Sequence, residues 1–139
     1  MILVDTNVVS EPMKLHGDPR VAAWLDLQAS GSLFISTITI AEILFGVAAL
    51  PQGKRRARLA EAFETEVLRL FEGRILSFDL SAARGYASIM SVTRARGLAI
   101  SVADGQIAAI AAAGKLSVAS REETPFRAAG VKTVNPRVE

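Results

Sequence analysis

Short runs of consecutive apolar residues alternate along the chain with longer stretches whose apolar positions recur at helical spacing. Ile2-Leu3-Val4 predicts a buried strand. Asp18-Pro19 opens a helix, with Asp18 as N-cap, Pro19 in the first helical position, and Val21, Trp24, Leu25 and Leu27 on the apolar side. Leu33-Phe34-Ile35 predicts a second strand, followed by a helix from about Thr39 to Leu50 that Pro51 ends. Lys54 to about Leu70 reads as one amphipathic helix, with Leu59, Phe63, Val67 and Leu70 facing inward. Ile75 to Phe78 predicts a third strand, and Ser81 to about Arg96 a helix ended by Gly97. Val102 to Ala113 predicts a further helix, with Gly114 just past its end in the residue type that favours a left-handed turn. Leu116 to Ala119 is a fourth strand, Thr124 to Ala129 a short helix, and Lys132-Thr133-Val134 offers a fifth strand.

Strands that are unbroken rather than alternating, separated by helices, indicate a parallel sheet covered on both faces. In such α/β folds the working site lies beyond the carboxyl ends of the strands, so polar residues just after strands and at helix starts carry the interest. The 139 residues suffice for one domain with its own core, and 50% apolar with 22% charged residues excludes a disordered chain. The absence of cysteine excludes disulfides, thiolate zinc sites and cysteine nucleophiles. A single histidine, His16, excludes a His-rich metal site and argues against a serine triad, whereas oxygen-ligated hard cations need only carboxylates. The longest uncharged runs, Leu27–Ala41 and Ile43–Gly53, are 15 and 11 residues, short of the ~18 that a membrane span requires. The first residues lack a basic signal-peptide region, and the expectation is a soluble cytoplasmic protein with an apolar surface that a partner covers. The net charge is only +2, but twelve of the sixteen basic residues are Arg, the better fork for phosphate oxygens, which permits an anionic partner.

Three carboxylates stand apart from other charges. Asp5 directly follows the first strand and continues into Thr6 and Asn7, whose hydroxyl and amide are expected to fix its rotamer; the alternative is an Asx-turn. Glu42 is the only charge between Asp26 and Lys54, in a helix so apolar that burial is expected, and Thr39-x-x-Glu42 has the spacing of a capping box. Asp104 is the only charge between Arg96 and Lys115, and Ser101-x-x-Asp104 repeats that spacing, with Gly105 leaving room for a close approach. Capping does not exclude function, because helix starts and strand ends share one edge of a parallel sheet. Glu122 or Glu123, just past the fourth strand, would add a fourth acid. At an effective dielectric of ~20, each pair of carboxylates ~8 Å apart repels by about 2 kcal/mol, so such a cluster calls for protonation or for a hard divalent cation, Mg²⁺ or Mn²⁺.

These segments, Met1–Pro12 with Asp5-Thr6-Asn7, Ser36–Gly46 around Glu42, and Ala103–Ala109 around Asp104, resemble the PIN domains. Within them the chain is similar to the toxins of VapC-type toxin–antitoxin pairs, the FitB-like subgroup above all, over essentially its whole length. The resemblance implies a three-layer α/β/α sandwich on a mostly parallel five-stranded sheet of order 3-2-1-4-5. It implies an Mg²⁺- or Mn²⁺-dependent endoribonuclease that hydrolyses RNA phosphodiesters with metal-activated water, leaving 5′-phosphate and 3′-hydroxyl ends. Asp5, Glu42 and Asp104 match the family's metal-binding acids and Thr6 its orienting hydroxyl. The fourth position falls in Ser120-Arg121-Glu122, where Glu122 is one methylene longer than the family's usual residue and is expected to act through water. The implied partners are RNA, a small antitoxin carrying a DNA-binding domain, and a second toxin copy, in a homodimer or a dimer of toxin–antitoxin heterodimers.

Other features have ordinary readings beside functional ones. Lys54-Arg55-Arg56-Ala57-Arg58 is either a solvated helix start or a contact for RNA or antitoxin. Arg121 is either a site residue or half of a structural ion pair. Leu44, Phe45, Val47, Leu50, Leu59 and Phe63 form either core or a groove for an antitoxin segment. Three competing functions are a receiver-like domain phosphorylated at Asp79, a dehalogenase-like phosphatase, for which position 7 should be Asp rather than Asn7, and a PIN fold that binds without catalysis.

Overall fold

The computed structural model describes residues 1–138. Five parallel strands, β1 (Ile2–Val4), β2 (Leu33–Ser36), β3 (Ile75–Leu76), β4 (Ser117–Ala119) and β5 (Thr133–Val134), form one sheet of order 3-2-1-4-5. β1 is central, in register with both neighbours: Leu3 lies beside Phe34 of β2 and Val118 of β4. Side chains alternate across the sheet. Leu3, Phe34 and Val118 enter a core with α6 (Leu80–Ala95), α7 (Val102–Gly114) and α8 (Thr124–Ala128). Val4, Ile35 and Ala119 enter the opposite core with α1 (Thr6–Val9), α2 (Pro19–Leu27), α3 (Thr37–Ala48) and α4 (Lys54–Ala62). The result is the three-layer sandwich. Among the described residues, no helix is long and apolar enough to cross a membrane.

α2 begins as its sequence predicts, with Asp18 accepting from the Arg20 amide and Pro19 following. Several other elements differ from expectation. The chain turns directly from β1 into α1, with Asp5 as N-cap. α3 starts at Thr37, not near Thr39, because Ser36, extended at the end of β2, caps the helix by accepting from the Thr39 amide. α3 is also not buried all round: Thr39, Ile43 and Val47 face the core, while Phe45 is 75% exposed.

The expected single helix over 54–70 contains a π turn at Phe63–Val67 before its last segment, α5 (Leu68–Leu70). A π turn adds residues to one helical revolution and rotates everything after it. Phe63 and Val67 still face the core, but Leu68 takes the next inward place and Leu70 is left 69% exposed. α7 runs through Gly114, and the left-handed residue is Lys115, at φ 56°. Gly114 serves by its size, since a Cβ there would sit 3.3 Å from Leu116 Cδ1. Gly105 likewise makes room within the fold, where an added Cβ would meet Met90 Sδ at 2.6 Å and the Tyr86 ring at 3.1 Å. β3 and β5 are two residues each, shorter than the segments expected for them.

The π turn makes a discriminating prediction. Phe63→Ala should cost about 3–5 kcal/mol in urea unfolding, whereas Leu70→Ala should stay within about 0.5 kcal/mol of the parent. A straight helix would make both substitutions costly.

Candidate active site

The order 3-2-1-4-5 reverses its winding between β1 and β4, and a crevice beyond the carboxyl ends of these strands is where such sheets place a ligand. Asp5 stands there. Its amide donates to Ala119 O at 2.9 Å, extending the ladder one residue past β1. Its Oδ1 accepts the Thr6 amide at 2.7 Å and its Oδ2 the Ser120 hydroxyl at 2.8 Å, so both oxygens are fixed from the main chain of α1 and the end of β4. Asp5 is 5% exposed and Ser120 fully buried.

Thr6 and Asn7 do different work from that expected, because α1 turns their side chains away from Asp5. The Thr6 hydroxyl donates to Glu42 Oε1 at 2.6 Å and lies 3.1 Å from the Thr39 hydroxyl. Glu42 is therefore not the return half of a capping box. With Ser36 as the cap, Glu42 falls in the second turn of α3, exposed, with its carboxylate held by Thr6. Asn7 Nδ2 donates to Ser120 Oγ at 3.2 Å, and its Oδ1 accepts the Arg121 amide at 3.1 Å, so it buttresses the turn after β4. Asp104, half-buried in the first turn of α7, has the Ser101 hydroxyl capping its amide at 3.1 Å, which is half of the expected box.

Asp5, Glu42 and Asp104 thus issue from three junctions at one sheet edge. Burial pushes the Asp5 pKa up from 3.8 to about 6; bonds from Ser120 and Thr6 oppose the rise, and the charges of Asp104 and Glu42 add to it. None of the groups acting most strongly on Asp5 is a cation. Among the described residues, no three or more carboxylate, histidine or cysteine side chains are closed into a ready metal cage. Hydroxyls hold two of the acids individually, Ser120 on Asp5 and Thr6 on Glu42. The donor set consists of oxygens around an uncompensated buried carboxylate, and that chemistry suits a hard dication rather than zinc or copper.

Ser120-Arg121-Glu122 divides its parts. Ser120 enters the site. Glu122 is exposed and engages through its main chain, its amide donating to Ser120 Oγ at 3.0 Å. The Arg121 guanidinium turns instead to Glu11, Nη1 to Oε2 at 2.6 Å, which makes it half of a structural ion pair. Glu11, 5% exposed in the short 3-10 turn Glu11–Met13, is a buried acid beside the site that the sequence pattern did not single out. Its signal was a lone acid between Asp5 and Lys14, just before Pro12. The Asp18 amide, and then Lys14, hold its pKa below the ordinary carboxylate value.

The competing residues are otherwise employed. Asp79 caps α6 by accepting from the Ala82 amide at 2.9 Å, beyond the edge strand β3, far from a receiver's central position. His16 is exposed. Of the six expected groove residues, Val47, Leu50 and Leu59 line a groove of about 350 Å³ that also touches Thr6 and Glu42. Phe63 is fully buried core, and Leu44 and Phe45 lie on the exposed face of α3.

Fold and site together define a doubly wound parallel α/β domain with an acidic crevice at its central switch point. The chain belongs to the PIN domain family, whose model matches residues 2–132. It is 48% identical over 136 residues to the VapC ribonuclease Y4jK of Sinorhizobium fredii, a match covering 98% of this chain and 97% of that one. It is 46% identical over 136 residues to the toxin FitB of Neisseria gonorrhoeae, covering 98% of each. The crystal structure of FitAcB from Neisseria gonorrhoeae superimposes with a TM-score of 0.96 at 45% identity, covering all of both chains.

The raised pKa of Asp5 has a stability consequence. Its folded value lies above the unfolded one, so the native protein retains this proton between pH 3.8 and about 6 and loses stability as pH rises through that window. The displacement corresponds to roughly 3 kcal/mol at neutral pH. Asp5→Asn should therefore raise the unfolding free energy at pH 7 by up to about 3 kcal/mol, with the gain fading below pH 4. Denaturant melts at the two pH values check this; equal gains at both would refute it.

Proposed function

We propose that this chain is a ribonuclease toxin that hydrolyses RNA phosphodiesters with the aid of Mg²⁺ or Mn²⁺ and is restrained by an antitoxin. The observation that carries the reading is the buried Asp5 carboxylate, which among the described residues forms no ion pair and whose pKa Asp104 and Glu42 push up further. The likeness to proteins named VapC ribonuclease and toxin FitB supports it.

Asp5, Asp104 and Glu42 would hold the ion, which when bound supplies positive charge for the phosphate oxygens and acidifies water. The Ser120 hydroxyl and the Thr6 amide keep both Asp5 oxygens in one orientation. The Thr6 hydroxyl aims Glu42. Asn7 secures the Ser120–Arg121 main chain, and through it the hydroxyl that faces Asp5. Glu122 stands exposed on the same turn and acts from the rim through water. His16, the single histidine, is exposed, and this reading uses no imidazole base.

The groove beside Glu42 has Lys14 and Arg55 among its lining residues and Val47, Leu50 and Leu59 among its apolar ones. That combination suits the antitoxin segment, which would cover the approach to the acids, and Phe45 on the outer face of α3 extends the apolar surface. A second copy of the chain completes the assembly in this reading.

Two experiments test the proposal. Purified protein should cleave single-stranded RNA with Mg²⁺ or Mn²⁺, leaving 5′-phosphates, and lose cleavage in EDTA. Asp5→Asn or Asp104→Asn should reduce the rate at least ~10²-fold, the scale of removing one stabiliser of developing charge. Persistent cleavage by Asp5→Asn would reject the assignment, and absent cleavage and Mn²⁺ binding by the parent would favour a fold that only binds. Separately, Phe45→Glu should release a co-expressed antitoxin while leaving the melting temperature unchanged, since its side chain is largely in solvent; retention of the antitoxin would place its seat elsewhere.

A further inference from the structure

Glu11 is a buried carboxylate with no counterpart among the acids that the proposed chemistry uses, and its surroundings are more fully specified than theirs. Oε1 accepts the Asp18 amide at 2.8 Å. Oε2 receives Lys14 Nζ at 3.0 Å and Arg121 Nη1 at 2.6 Å. The loop that delivers the Asp18 amide closes tightly over Glu11, because an added Cβ on Gly17 would lie 2.2 Å from the Glu11 carbonyl oxygen. Asp18 is in turn gripped by Arg20 at 2.8 Å and by Arg137 at 3.2 Å. The carboxylate is thus fixed in place before Arg121 reaches it.

Arg121 has more at stake. Its side chain is 23% exposed, and its Nε is buried without a hydrogen-bond partner, so the guanidinium has little to hold it besides Glu11. Its main chain belongs to the turn that begins with Ser120. Asn7 fixes that turn from the backbone side, and Glu11 fixes it from the side-chain side. Both anchors come from one continuous segment, residues 5–13, that also carries Asp5. Ser120 Oγ, held between them, is the hydroxyl on Asp5 Oδ2.

We propose that Glu11 is a positioning residue that, by clasping Arg121, locks the 120–122 turn and so sets the orientation of Asp5 through Ser120. The inference rests on the function proposed above and adds to it a residue outside the acid cluster. A plain ion pair on the surface would contribute little. This one is enclosed on the Glu11 side, whose side chain is 6% exposed, and breaking it leaves a partly buried arginine without its anion beside the site. A hydroxyl bonded directly to a metal ligand, as Ser120 is to Asp5, typically changes metal affinity or activity ~10–100-fold when displaced, and Glu11 acts through that hydroxyl by way of Arg121.

Calorimetric titration of the full chain with Mn²⁺, and steady-state cleavage of single-stranded RNA at saturating Mn²⁺, test the clasp. Glu11→Gln should weaken Mn²⁺ binding or lower kcat by ~10–100-fold while KM for RNA stays within about twofold of the parent. Amide hydrogen exchange at Arg121 and Glu122 should accelerate in the same variant. Arg121→Met leaves Glu11 bound to Asp18 and Lys14, so it remains folded even if Glu11→Gln does not, and it should give the same phenotype. The double variant should be no worse than either single one, because both remove a single interaction. Glu11→Gln or Arg121→Met with parental Mn²⁺ affinity and kcat, or a double variant with multiplied losses, would overturn the clasp alone. A parent chain that neither binds Mn²⁺ nor cleaves RNA would remove the underlying reading, and the clasp with it.

Discussion

A carboxylate buried at the switch point of a parallel sheet, with two more acids nearby and no cation among its strongest neighbours, is the constraint around which this molecule is arranged. Asp5 sits where β1 and β4 end side by side, and its position is fixed by the ladder bond from its own amide to Ala119. It cannot turn away to solvent without giving up the Thr6 and Ser120 bonds, and desolvation holds its pKa near 6. Such a group favours any ligand that supplies positive charge. The same ionisation weakens the fold at neutral pH, the strain expected of a site arranged for binding rather than for stability.

The surrounding polar groups are spent on orientation. Four short-range choices in one segment after β1 organise the site: Asp5 itself, Thr6 toward α3, Asn7 toward the turn after β4, and Glu11 toward Arg121. Because α1 begins at Thr6, successive side chains leave the segment in different directions and reach different elements. One helical turn thereby ties β1, α3 and the β4 turn into a single frame. Ser36, Thr39 and Ser120 are fully buried within it, which favours one arrangement of their bonds.

α3 shows how a helix can serve two faces at once. Ile43 and Val47 anchor it in the core, Glu42 presents to the site, and Phe45 and Leu44 stand outward. Its mean composition is that of a buried helix, yet part of its apolar surface faces solvent. Exposed apolar area next to a groove that reaches Glu42 and Thr6 is the physical basis for the partner proposed to cover this face.

Strand number, parallel pairing and the isolation of three acids were legible in the sequence, because apolar runs of strand length and lone charges in apolar stretches are local signals; the strand order came with the family resemblance. The N-cap of α2 was legible for the same reason, Asp18-Pro19 being a local instruction. Tertiary structure decided the rest. Whether Ser36 or Thr39 caps α3 depends on where β2 stops, and β2 stops where its pairing with β3 ends. The π turn, which leaves Leu68 partly buried and Leu70 exposed, departs from the inward spacing that the apolar residues suggest. The partners of Thr6, Glu11 and Arg121 lie 36 or 110 positions away along the chain, so no local pattern encodes them. The sequence by itself determined which acids would be set apart and at which edge, because lone charges beside strand ends are local; only the folded chain, by bringing the Thr6 and Ser120 hydroxyls from distant elements onto Glu42 and Asp5, decided which groups hold those acids in place.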